Sequence, residues 1–287
     1  MLQQNVTMPA IPAIAIAIPS ARDSYLVCDM PGFIAAAESV QYRPAGSDWT
    51  GGMGYAESLE CCRSGNPGVV TQSDSFMGEL ESMVFVTRQF RVIDSVVGAV
   101  PNVPAFLAGV PENMRLRRRT VSAAAPLSIF ADISSSAAIS GADITRRGVA
   151  ILALVRLLSN LRPVELFVLT GLNVGDAGAS WVTVRVDTSP LDLARAGHLI
   201  SHASVSRGLF YGVSHKFHGS GGSHPYSREG LDRKHGAEIL SRVTMPGNDT
   251  LFIPYVNKRD ENIRNPVAWL KDMLARYGGN VVQSDSD

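Results

Sequence analysis

At 287 residues, with 45% hydrophobic and 18% charged residues, the chain has an ordinary globular composition and enough length to enclose a substantial core. Its 26 Lys and Arg balance 26 Asp and Glu, which excludes a global attraction to nucleic acid or to an anionic membrane, so any such contact must come from a local patch. The three cysteines, Cys28, Cys61 and Cys62, have neither metal-type spacing nor a disulfide framework, which points to a reducing, intracellular setting.

The first apolar stretch, PAIPAIAIAIP at 9–19, follows no basic residue, is interrupted by Pro12, and is too short to span a bilayer. Residues 1–24 are therefore expected to form a flexible arm, whose isoleucines give it a reason to dock on a neighbouring subunit and make self-association an expectation. Residues 25–120 read as a mixed α+β extension. Pro31–Val40 and Tyr55–Arg63 carry helical signals, the second closed by Gly65, and Trp49 beside Gly51 and Gly52 suggests an aromatic anchor on a tight turn. Met83–Ile93 alternates as a strand, followed by a loop into a short helix at Val103–Ala108. Arg115, Arg117, Arg118 and Arg119 then form a basic cluster. Such a cluster can contact phosphates, but without interleaved aromatics a solvated strand edge ranks ahead of nucleic acid.

Residues 121–280 carry the strongest pattern. Leu127–Ile133 is a nearly continuous apolar run suited to a strand buried on both faces, and Asp132, Ser134 and Ser136 stand at its end. Ser140 or Asp143 can cap the following helix, whose apolar positions run from Ile144 to Leu161, with Arg146, Arg147 and Arg156 at polar positions; Pro163 stops it. Val164–Leu169 is the next strand. This β-α-β order predicts an α/β fold, an open, mostly parallel sheet with helices on both faces, in which ligands sit outside the carboxyl ends of strands. Trp181–Val186 reads as a further strand, at the sheet edge, followed by Asp187, Thr188 and Ser189 and a helix opening at Pro190. Leu251–Val256 is the last strand, Asn265 caps a final helix through Tyr277, and residues 281–287 read as a disordered tail.

Asp132-Ile133-Ser134-Ser135-Ser136, ahead of a long helix and a Val-Glu-Leu-Phe-Val strand, resembles the start of a von Willebrand factor A domain. The resemblance implies a metal-ion-dependent adhesion site, with magnesium held by Asp132, Ser134, Ser136 and a threonine, for which Thr188 is the candidate. Ser135, Asp187 and Ser189 would then flank the partner. The family's last acidic ligand has no counterpart, so the site is expected to be degenerate. By analogy the partner is an AAA-type ATPase of the MoxR kind. A second resemblance, to uncharacterised phage and plasmid proteins, rests on Trp49-Thr50-Gly51-Gly52, Pro101–Gly109 and Pro111-Glu112-Asn113-Met114. It implies the cytoplasm of a bacterial host cell, or a virion protein that assembles with other virion proteins.

Catalysis finds no support in motif. There is no nucleophile elbow, phosphate loop or paired-carboxylate spacing, and the expected role is non-enzymatic binding. All six histidines fall between His198 and His235. His198 and His202 share a helical face, an unspecific zinc signal, and Phe217–Gly230 reads as a surface loop with scattered histidines.

Overall fold

The computed structural model describes residues 6–7, 16–17, 24–40, 48–81, 90–119, 125–135, 138–173, 179–218, 248–256 and 261–278. Its N-terminal third contains β1 (Val6–Thr7), β2 (Ile16–Ala17), β3 (Ser24–Asp29), α1 (Met30–Glu38), α2 (Tyr55–Ser64) and α3 (Pro67–Glu81). Next come β4 (Phe90–Ser95), β5 (Val100–Pro101), α4 (Val103–Leu107) and β6 (Met114–Arg119). The remainder is β7 (Leu127–Asp132), α5 (Gly141–Ser159), β8 (Val164–Asn173), β9 (Ala179–Val186), α6 (Leu193–Ser201), a π-helical turn (Val205–Phe210), α7 (Tyr211–His218), β10 (Asp249–Ile253), α8 (Glu261–Arg264) and α9 (Pro266–Tyr277).

The α/β fold is organised on a five-stranded sheet of order β10-β7-β8-β9-β3, parallel throughout except for the antiparallel β8–β9 pair. The β7-α5-β8 unit lies at its centre. Leu127, Ile129 and Ala131 of β7, with Leu166, Val168, Val182, Val184 and Cys28, line one face, and α1, α2, α3, α5, α6, α7 and α9 bury their apolar residues against it. The opposite face is buried as well, where Phe130 and Phe167 stack with ring centroids 4.5 Å apart. α5 begins as the sequence predicts: Ser140 Oγ accepts the Asp143 amide at 3.1 Å and donates to the Asp143 carboxylate, a reciprocal cap. Close packing of α5 on α6 depends on Gly148, because a Cβ there would lie 2.3 Å from Ser201 Cα.

Several expectations are corrected. The sheet edge beside β9 is β3, which the glycine-punctuated sequence does not announce as a strand. α6 starts at Leu193, not Pro190, because the Asp192 carboxylate accepts the amides of Ala194 and Arg195 at 3.1 and 3.0 Å, whereas Ser189-Pro190 forms a cis turn. Part of the N-terminal arm is paired, β1 with β2, and β2 lies beside β3. The strand predicted to start at Met83 is described only from Phe90, and Phe217–Gly230 and the tail lie largely or wholly outside the described residues.

Residues 90–119 form a second, antiparallel sheet of order β4-β6-β5. In that order β6 is central, but β5 reaches only Met114 and Arg115, so Arg117, Arg118 and Arg119 pair with β4 alone and the strand-edge reading holds for them. Phe90 stands opposite Arg119, so both chain connections leave from one end, and α4 with the turns around it forms the other. Gly98 lets the 96–99 connection cross the start of β6, where a Cβ would come within 2.4 Å of the Arg115 carbonyl oxygen. No described element of the core makes an extensive contact with this arm.

Candidate functional sites

The Asp132 loop lies at the carboxyl edge of the central sheet, as predicted, but it is closed on itself. Asp132 is 0% exposed, and its Oδ1 accepts the Ser134 amide at 2.8 Å, a turn that a short carboxylate makes with its own backbone. Ser134 Oγ accepts the Gly171 amide at 3.0 Å, tying the loop to β8. The Ser134 carbonyl accepts the Val256 amide at 3.1 Å, and Ser135 bridges to Val256 beyond β10. Beneath the loop, Arg147 of α5 donates to the carbonyls of Asp132 and Pro254, which clamps the ends of β7 and β10 together. Arg147 is 2% exposed, a correction to its reading as a polar surface position. Helical periodicity places it, three residues after Ile144 and four before Ile151, within the apolar stripe, whereas Arg146 falls off that stripe and faces solvent.

Thr188 does not join this loop. Because β9 runs antiparallel to β8, its end returns to the amino edge, where Thr188 Oγ1 donates to the carbonyl of Val164, the first residue of β8. Asp187 and Ser189 stand at that same far edge. Thr188 and Ser189 line a cavity of about 310 Å³ there with Ser159, Leu161, Arg162, Pro163 and Val164. The expected grouping of Thr188, Asp187 and Ser189 around Asp132 is thus corrected: the glycine-rich stretch between β8 and β9 is too short for the crossover that a parallel pair needs, so the two strands pair antiparallel. Ser136 lies outside the described residues, and the described residues hold no cluster of three metal-ligating side chains.

A buried network joins α2 to α6. His198 Nε2 lies 3.1 Å from the Ser58 carbonyl oxygen and 3.2 Å from Ser58 Oγ, while Asn66 Nδ2 lies 3.2 Å from His198 Nδ1. Superficially this is a serine-histidine-asparagine triad. Its proton positions say otherwise. Asn66 Oδ1 accepts the Gly68 amide at 3.0 Å, so its Nδ2 must donate to His198 Nδ1, and Nε2 must carry the proton it gives to the Ser58 carbonyl. In that tautomer Nε2 cannot take the Ser58 proton. Burial, then neighbouring His202, lowers the His198 pKa to about 4, so the ring is neutral at pH 7. His202 stacks on it with centroids 5.1 Å apart and lies with Nδ1 2.7 Å from Ser204 Oγ, which also donates to Ser58 Oγ at 2.7 Å. Three of the four ring nitrogens of the predicted zinc pair therefore have protein partners.

The signature Trp49-Thr50-Gly51-Gly52 is a structural anchor. Gly51 and Gly52 have φ of 70° and 86°, and Arg207 of the π-helical turn lies 4.2 Å above the Trp49 ring while donating to the carbonyls of Trp49 and Ile139 at 3.1 and 2.6 Å. Two of the three thiols are closed as well: burial first, then Asp29 for Cys28 and Cys61 for Cys62, pushes both up to about 12, while Cys61 is half-buried.

The model of a domain of unknown function, DUF7192, matches residues 19–280, taking in the five-stranded and three-stranded sheets and all the described helices. The chain belongs to the DUF7192 family. No curated protein and no solved structure matches it significantly. Within this DUF7192 chain the arm is where apolar side chains meet water. Among the described residues, the exposed large hydrophobics are Val92, Val96, Val97, Val100, Val103, Phe106, Leu107 and Val110, all within β4 or between it and β6. Phe106 is 66% and Leu107 79% exposed, and α4 buries none of its residues. The signal is visible in the sequence as apolar residues set among Gly98, Pro101, Pro104 and Gly109, a composition that reads as loop and hides the patch. No described helix is long and apolar enough to cross a membrane.

Proposed function

We propose that this DUF7192 chain is a non-enzymatic protein-binding module that grips its partner with the tip of the 90–119 arm. The observation that carries this reading is the confinement of exposed large hydrophobics to residues 92–110. Apolar patches left in water are characteristic of surfaces that another protein covers, and Phe106 beside Leu107 supplies the anchor residues that such interfaces centre on. An AAA-type ATPase or a virion protein fits the family resemblances, with the cytoplasm of a bacterial host or the virion as the setting. The test is affinity capture by the full chain from its native host, comparing wild type with the double variant Phe106→Ser, Leu107→Ser. Loss of one specific protein from the variant's capture supports the reading; an identical set of captured proteins overturns it.

A second surface keeps a claim. Ser135 Oγ and Thr170 Oγ1, near the carboxyl edge, are buried without hydrogen-bond partners, and oxygen donors of this kind beside Asp132 and Ser134 suit a hard cation such as magnesium. In this reading a von Willebrand factor A-like loop engages the partner through the ion. Capture that disappears on chelation and on Asp132→Asn, but survives the arm variant, would move the site from the arm to the loop.

A further inference from the structure

We infer that the central strand of the arm is a binding platform for single-stranded nucleic acid, recognised through its phosphates. β6 pairs with β4 along its whole length but with β5 only at Met114 and Arg115, so among the described residues Arg117 and Arg119 have one strand neighbour and a free side open to a ligand. Arg115, Arg117 and Arg119 occupy alternate positions of β6, and alternate positions of a strand share one face, about 6.8 Å apart. That repeat is comparable to the separation of successive phosphates in an extended single strand. Their cross-strand neighbours are Asp94, Val92 and Phe90 of β4, with Val100 of β5 also opposite Arg115. Val92 and Val100 are each 55% exposed and Arg115 is exposed, so this face is open to solvent where its side chains are described.

Charge adds a second argument. Between residues 90 and 119 there are five arginines, no lysine, and only Asp94 and Glu112, in a chain whose net charge is zero. Guanidinium groups bind phosphate oxygens in a planar, bidentate manner, and a row of them at even spacing matches a polymer better than it matches an isolated carboxylate. Val92 and Val100 supply apolar surface for sugars and bases beside the row.

This platform is independent of the apolar tip. Full-length protein is titrated into fluorescein-labelled oligothymidylate and single-stranded RNA across a salt series, with fluorescence anisotropy as the readout. Binding should weaken steeply with salt. The triple variant Arg115→Gln, Arg117→Gln, Arg119→Gln should lose about tenfold or more in affinity, and its log–log salt slope should fall by about 2, at ~0.7 per phosphate contact. Phe106→Ser with Leu107→Ser should bind the oligonucleotides as wild type does, which separates this inference from the protein-binding reading. No binding at low salt, unchanged binding by a triple variant that melts like wild type, or equal competition by polyglutamate would overturn the inference. Equal affinity for a duplex would overturn its single-stranded form.

Discussion

At the carboxyl edge of the central sheet, the strand-end carbonyls and loop amides around Asp132 are answered from within the protein. At the tip of the arm, apolar side chains stand in water with nothing answering them. The two regions invert what their sequences advertise. Asp132-Ile133-Ser134-Ser135-Ser136 looks like a site, yet Asp132 and Ser134 are engaged in closing the turn that leads from β7 to α5. Val96–Val110 looks like a loop, yet it holds the surface for which folding has no use. Polar motifs at strand ends mark where a chain must satisfy its own backbone, and uncompensated apolar groups mark where another molecule is expected.

Changes under the carboxyl edge should therefore cost the most stability. Arg147→Met leaves the carbonyls of Asp132 and Pro254 without their charged donor at the ends of two central strands, and a loss of about 3–5 kcal/mol is expected in urea unfolding. Arg146→Met, one position away and exposed, should change stability by less than about 0.5 kcal/mol. Similar losses in both would mean that the clamp does not hold the edge.

The α2–α6 network gives the next effect, and it is a function of pH. The folded-state pKa of His198, about 4, lies below the unfolded value of 6.5, so the unfolded chain binds the proton more readily. Stability from this group is fully present above pH 6.5 and is lost as pH falls toward 4, by roughly 3 kcal/mol over the window at 1.36 kcal/mol per unit. His202, also lowered by burial, acts in the same direction. Urea midpoints measured from pH 7.5 to 4 should fall for wild type and flatten in His198→Gln. An equal slope in both proteins would show that His198 is not held neutral.

A smaller cost is expected where packing alone is disturbed. Gly148→Ala sets a methyl against the backbone and side chain of Ser201, and α5 must move off α6, at about 2 kcal/mol. If the variant is as stable as wild type, the helices have room that their geometry denies.

Much of the central fold was legible because its signals are local. The apolar run of β7, the reciprocal Ser140–Asp143 cap, the proline after α5 and the Asn265 cap of α9 each act within a few residues. Neighbourhood was less legible. The direction of β9 is signalled only by the shortness of the glycine-rich stretch ahead of it, and that direction carries Thr188 to the far edge. The strand-edge reading of the arginines holds for 117–119, which pair with β4 alone, and fails only at Arg115, which β5 covers. The burial of Arg147 is legible in its spacing, three residues after Ile144 and four before Ile151, but the carbonyls it serves lie at strand ends distant in the chain. Ser58, Asn66 and His198 likewise meet only through the packing of α2 on α6.

The smallest expected effect on stability is the sharpest test of the comparison. Phe106 and Leu107 are exposed and α4 buries nothing, so replacing both with serine removes little area that folding takes from water. The urea midpoint of the double variant should match wild type within about 0.5 kcal/mol, or rise slightly as a patch prone to association is removed. A loss above about 1 kcal/mol would mean that the tip is covered in the free protein by a part of its own chain. In that case α4 belongs to the core, and the surface that meets a partner must be sought at the Asp132 loop instead.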